Sequence, residues 1–195
     1  MFLFETIRIE SGQIMHLEYH QERVDRSVPG ISLNLKKVTG EYFRTQPLPP
    51  AGVHKLRITY SLTGHVEKIS VSGYARKIIK TLRLIHCDTL SYPLKSEDRS
   101  GIEALYAQRG ECDDILIIQN GLVTDTSFAN IIFLKDGEWI TPGTPLLPGT
   151  CRARLLSLGK IREQKITPQD LKNCSRFQLI NAMIEPEFGK IAISR

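Results

Sequence analysis

The dipeptides Asn120-Gly121 and Asp136-Gly137 constrain this chain's fold more than any other feature. Each separates two apolar runs of strand length: DILIIQ from LVTD, and NIIFLK from EWITP. A two-residue turn matches the twist of antiparallel strands when both central residues take positive φ, which Asn, Asp and Gly tolerate. Residues 114–142 are therefore expected to form two successive hairpins. Between them sits a polar knot, Thr124, Asp125, Thr126 and Ser127, with Asn130 heading the next apolar run. Polar groups among strands built for burial are costly unless they find hydrogen bonds or a ligand.

The remaining pattern predicts a mixed α/β chain in which hairpins build more of the sheet than parallel crossovers do. MFLFETIRIESGQIMHLEYH reads as two strands about Ser11-Gly12, with Phe4, Ile7 and Ile9 alternating with charged neighbours. EYHQERVDRSV reads as a helix, Pro47 to Gly52 as a loop, VHKLRITYSLTGHVEKISVSGY as two strands about SLTGH, and KTLRLIHC as another. CDTLSYPLKSED is the expected crossing between two small domains, 1–88 and 89–195, and it runs into a helix in RSGIEALYAQRG. PLLPGTCRARLLSLG predicts a turn feeding an amphipathic helix with Leu155, Leu156 and Leu158 on its apolar side. ITPQDL caps a short helix, and RFQLINAMIEPEFGKIAI reads as a strand, a loop and a last strand.

Several function classes drop out. The formal charge of +5 is spread among acids without a basic run, so the expected partner is a small anionic or amino-acid-like molecule, not nucleic acid. No apolar run approaches the length of a membrane span, and the start lacks a secretory pattern, which makes a cytoplasmic address the expectation. Cys87, Cys112, Cys151 and Cys174 form no C-x-x-C pair; Cys87, Cys112 and Cys174 read as buried free thiols, and no metal is expected. The histidines form no H-E-x-x-H, and neither a G-x-S-x-G elbow nor a Gly-rich phosphate loop occurs.

What remains is a lysine at the crossing, an acid on a hairpin, a Gly-Thr turn opening a helix and an early arginine. Pyridoxal phosphate needs all of these. Its aldehyde takes a lysine amine, its pyridine nitrogen a carboxylate, and its phosphate a helix start with a cationic side chain. Singly, each also has a plain reading: Lys95 as a solvated loop residue, Asp125 as a turn residue, Arg23 as a surface charge, PGT as an ordinary helix start.

Their order resembles the class IV (fold-type IV) pyridoxal-phosphate enzymes, which include branched-chain and D-amino-acid aminotransferases and aminodeoxychorismate lyase. FETIRIESGQIMHLEYHQERVDRS is similar to the family's F-E-T-x-R block and the H-x-x-R that follows. YPLKSEDRSGIEAL resembles its Schiff-base segment, GLVTDTSFANIIFLKDGEWITP its acid-bearing hairpin, and LLPGTCRARLL its phosphate turn. The resemblance implies a D-amino-acid aminotransferase-like fold of two small domains with the cofactor in the cleft, and a homodimer. It implies that Lys95 binds the aldehyde and shuttles the substrate proton, and that Asp125 faces the pyridine nitrogen. Arg23, with the backbone amides of Thr150 and Cys151, would hold the phosphate, and Asn181 would close that side. Thr6 and Arg99 would meet substrate, His20 would support Arg23, and Asn130 would order the knot. Asp125 stands where the family usually has glutamate, Cys151 where it has a hydroxyl residue, and the chain begins at its FETIR block.

Within the family, Lys95-Ser96-Glu97-Asp98-Arg99 resembles the lyase's K-x-x-N-R with Asp for Asn. The resemblance therefore implies 4-amino-4-deoxychorismate lyase. The alternatives are an aminotransferase for a D- or branched-chain amino acid and a member that binds the cofactor without turnover.

Overall fold

The computed structural model describes residues 1–188; the last strand expected within GKIAI lies outside them. Strands β1 (Phe2–Glu10) and β2 (Gln13–Ile14) meet at Ser11 and Gly12, whose φ values of 47° and 76° suit a tight hairpin. β1 pairs antiparallel with β3 (Val53–Ser61), and β3 with β4 (Val66–Gly73), giving the order β2-β1-β3-β4. The period of two divides β1 cleanly. Leu3, Ile7 and Ile9 join Leu56, Ile58 and Tyr60 of β3 in a fully buried face. Phe4 falls on the opposite face, not with Ile7 and Ile9.

Helices α1 (Leu17–Ser27) and α2 (Leu35–Thr45) cover that buried face, contributing Val24 and Leu35. The sequence reading overlooked α2. Its start carries a local signal, since Asn34 Oδ1 accepts the Lys37 N–H at 2.9 Å as an N-cap.

β5 (Leu82–His86) runs parallel to β6 (Asp114–Gln119), which pairs antiparallel with β7 (Leu122–Thr126). The third sheet has the order β10-β9-β8-β11, from β8 (Asn130–Lys135), β9 (Glu138–Pro142), β10 (Arg162–Gln164) and β11 (Arg176–Ile180). Both expected hairpin turns form: φ is 49° and 75° at Asn120 and Gly121, 51° and 81° at Asp136 and Gly137. Ile115 to Ile118 of β6 are all apolar because both faces of the strand are covered. Ile115 and Ile117 meet Ile85 and Leu105, while Leu116 and Ile118 meet Val123 and Ile131. Helix α3 (Ser100–Tyr106), which supplies Leu105, continues as a 3-10 turn at Ala107–Arg109.

Between β4 and β5 the chain passes from the first sheet to the second, where β5 buries Ile85 beside β6. Three expectations change. In α4 (Thr150–Ser157) the inward residues are Cys151 and Leu155, packed on Ile132; Leu158 follows the helix and is 56% exposed. Of the cysteines, all of them free, only Cys151 is buried, the other three being half-buried. ITPQDL does cap a turn, with Thr167 N–H donating to Asp170 Oδ2 at 2.9 Å, but the result is a single 3-10 turn. No helix among the described residues is long and apolar enough to cross a membrane.

Ile131 is fully buried in the cluster that joins β6, β7 and β8. Ile131→Ala should cost about 2–5 kcal/mol of stability, read by denaturant unfolding.

Candidate active site

A cavity of about 340 Å³ opens between the cavity face of β1 and β3 and the loops around β7 and α4, a size suited to a small ligand. Arg23, Lys95, Asp125, Thr150 and Asn181 line it, as do Thr6 and Arg99. Thr6 reaches it because it shares Phe4's face of β1. Cys151 does not line it: its thiol is buried near Ile184 O, and burial, reinforced by the Glu185 charge, pushes it up to about 12.

Lys95 is placed by main-chain bonds. Phe4 N–H donates to Lys95 O at 2.9 Å and Glu97 N–H to Phe2 O at 3.0 Å, splicing residues 95–97 onto the free edge of β1. The side chain is half-buried, with Nζ 4.8 Å from the Phe4 ring centroid. Burial, then the guanidiniums of Arg23, Arg99 and Arg57, bring the amine down to about 7 against the pull of Glu5. A neutral amine at physiological pH is a nucleophile and a base.

Asp125 is the penultimate residue of β7, and Asn130 begins β8 across the loop that joins them. Asn130 Nδ2 donates to Asp125 Oδ1 at 2.7 Å and to Leu147 O at 2.9 Å, and Leu147 N–H donates to Asp125 Oδ2 at 3.0 Å. Asn130 thus orders the knot. Burial still outweighs these bonds and raises the Asp125 carboxyl to about 6. The Arg152 charge favours its ionised form, but among the described residues no cation forms an ion pair with it. Gly149, the N-cap of α4, packs so closely that a Cβ there would lie 2.1 Å from Asn130 Oδ1. No side chain among the described residues caps this end, which leaves the first-turn N–H groups open to an anion.

Arg23 is anchored from behind. Its Nε donates to Glu5 Oε1 at 2.9 Å and Nη2 donates to Oε2, while Nη1 has no hydrogen bond among the described residues. His20, one turn earlier on α1, meets the same carboxylate through Nδ1 at 2.5 Å. Burial alone would raise Glu5, but Arg23 and His20 overcome it and hold the carboxyl near 2. Burial lowers His20, so its neutral ring donates from Nδ1. His20 therefore supports Arg23 through Glu5. The sequence reading passed over Glu5, although its place among Leu3, Ile7 and Ile9 puts a charge on the buried face of β1. Arg99 Nη2 donates to Ser127 O at 2.7 Å. Asn181 holds the loop through Phe128 O at 3.4 Å and the Met183 N–H at 2.8 Å.

Residues 89–186 match the amino-transferase class IV family, and the chain belongs to it. It is 41% identical over 182 residues to an uncharacterised protein of Haemophilus influenzae, covering 93% of this chain and 97% of that one. It is similar to the crystal structure of a provisionally named 4-amino-4-deoxychorismate lyase from Haemophilus somnus 129pt, with TM-score 0.85 and 38% identity, over 93% and 96% of the two chains. An aminotransferase from Brucella abortus, solved with its cofactor PLP, shares the fold at TM-score 0.72 and 16% identity, over 93% and 78%.

The cofactor of this family is pyridoxal 5′-phosphate, and the residues present fit it. The half-neutral Lys95 amine suits its aldehyde, and the uncompensated Asp125 acid suits a protonated pyridine nitrogen. The uncapped start of α4 with Arg23 Nη1 suits its phosphate.

Glu5→Gln should destabilise the fold by about 3 kcal/mol, since it strands a buried guanidinium, and should weaken phosphate binding. The Glu5 carboxyl is depressed, so its contribution is complete above the ordinary carboxylate range and fades as pH falls towards 2. Acid unfolding of wild type and variant should converge there. In the cofactor-free protein, Lys95 should react with a small aldehyde along a curve rising with pH about a midpoint near 7.

Proposed function

We propose that this class IV enzyme is a lyase that releases pyruvate and p-aminobenzoate from 4-amino-4-deoxychorismate. The observation that carries the reading is a Lys95 amine held near 7 in a cavity shared with the buried Asp125 acid. The likeness to the Haemophilus somnus protein, over 96% of that chain, favours the lyase branch, as does the spacing from Lys95 to Arg99.

Lys95 would hold the cofactor's aldehyde, Asp125 its ring nitrogen, and Arg23 with the amides of Thr150 and Cys151 its phosphate. When bound, the cofactor supplies an electron sink for the carbon that carries the substrate amine. Lys95 Nζ, when not bound to the aldehyde, would be the general base that takes the proton from that carbon. Asp125 would hold the ring nitrogen protonated. Arg99 and Thr6 stand where they can orient the substrate's polar groups, and Phe4 excludes water beside Nζ. The family resemblance also carries a homodimer, with Phe128, 36% exposed at the cavity, as the place a second copy would cover.

An aminotransferase reading draws on the same Lys95 and Asp125 and on the fold shared with the Brucella protein. Only an aminotransferase needs both an amino donor and a 2-oxo acid.

Pyridoxal phosphate added to wild type should give a visible band that borohydride fixes at Lys95, and Lys95→Ala should give none. Wild type should form p-aminobenzoate without any 2-oxo acid, and Lys95→Ala should lose at least about 100-fold in rate, the scale of a lost general base. A fixed band with no p-aminobenzoate, and turnover only with an added 2-oxo acid, would overturn the lyase in favour of the aminotransferase.

A further inference from the structure

The cavity holds more positive charge than its cofactor needs. Lys55 and Arg57 lie two residues apart on β3, so they share one face, and both line the cavity. In register, Arg57 stands opposite Thr6 and Lys55 opposite Arg8. Arg57 is already engaged: its guanidinium lies 3.6 Å from the Phe4 ring centroid, and Nη2 donates to Glu97 Oε1 at 2.8 Å. Arg8 is engaged as well, through Glu10 and through Met183 O at 2.8 Å. Lys55 is half-buried and makes neither a hydrogen bond nor an ion pair among the described residues. Glu10 meets the charge of Arg8, opposite Lys55 across the strand pair, while Lys55 has no anion of its own among the described residues.

Arg23, Asp125 and Lys95 are absorbed by the cofactor, which leaves Lys55 as the cation on the sheet wall with no assigned task. We infer that Lys55 is a specificity-determining residue. It binds a carboxylate of the substrate remote from the reacting amine, and so selects dicarboxylate over monocarboxylate amines. Arg57 positions it, since its stacking on Phe4 and its bond to Glu97 fix the wall from which Lys55 extends. The inference rests on the reading of this cavity as an amine-substrate site, and it names a residue for which neither the sequence pattern nor the cofactor gives a role.

The test needs no turnover. Cofactor-loaded wild type, Lys55→Gln and Lys55→Arg are titrated by calorimetry with benzoate and with benzene-1,3-dicarboxylate. Wild type should prefer the dicarboxylate by roughly tenfold, the size of one charge-assisted hydrogen bond. Lys55→Gln should bring the two ligands to near parity while leaving benzoate unchanged, and Lys55→Arg should restore the preference. A general packing defect would weaken both ligands together and leave their ratio intact, which overturns the role. Equal affinities in wild type overturn it too. The lyase reading fails separately, on absent p-aminobenzoate, whichever way the binding ratio falls.

Discussion

Two main-chain hydrogen bonds, from Phe4 N–H to Lys95 O and from Glu97 N–H to Phe2 O, decide where this protein can do chemistry. They join residues 95–97 to β1 through an isolated bridge between Leu3 and Ser96, on the edge left open by β2, which pairs only near Glu10. A lysine on an unrestrained loop would keep its amine in water and its charge. Spliced onto β1, it is held over Phe4 and among three guanidiniums. The nucleophilic amine is thus a consequence of strand pairing in the first sheet, while the acid and the helix end belong to the second half of the chain.

The electrostatics follow from that placement. Glu5 neutralises Arg23 from behind, leaving its remaining nitrogen for an anion, and Arg57 is paired with Glu97. Burial and the guanidinium charges act together on Lys95, which falls to about 7, while burial outweighs the hydrogen bonds and the Arg152 charge at Asp125, which rises to about 6. Each group is costly by itself in its ionised form. A ligand with a cationic ring nitrogen and an anionic tail relieves both costs at once, which is why the cavity's chemistry selects this cofactor and not a neutral one.

Much of this was legible in the sequence because it was local. The Asn-Gly and Asp-Gly turns, the apolar runs beside them and the polar knot at 124–127 are all properties of contiguous residues. The class IV resemblance led to Lys95, Arg23 and Asp125, which the fold brings to one cavity. What escaped depends on partners distant in the chain. Glu5 matters because α1 delivers Arg23 and His20 to it, and Leu158 is exposed because α4 ends before reaching it. Cys151 follows the same logic: as the second residue of α4 its side chain packs on Ile132, while its backbone N–H stays in the uncapped first turn. The periodicity of β3 marks Lys55 and Arg57 as one face, but only the register with Arg8 and Thr6 reveals that the face is a cavity wall.

The shorter acid at position 125 is accommodated by its neighbours. Asn130 holds one carboxylate oxygen and the Leu147 amide the other, so the group's position is set by the loop entering α4 as well as by β7. The same asparagine occupies the space a side chain at position 149 would need. One amide therefore fixes both the acid and the start of the helix, and neither can shift without the other. In a site assembled from separate sheets, that coupling holds the acid and the open start of α4 at a fixed spacing. The sheet wall at Lys55 and Arg57 lies on a different element from both.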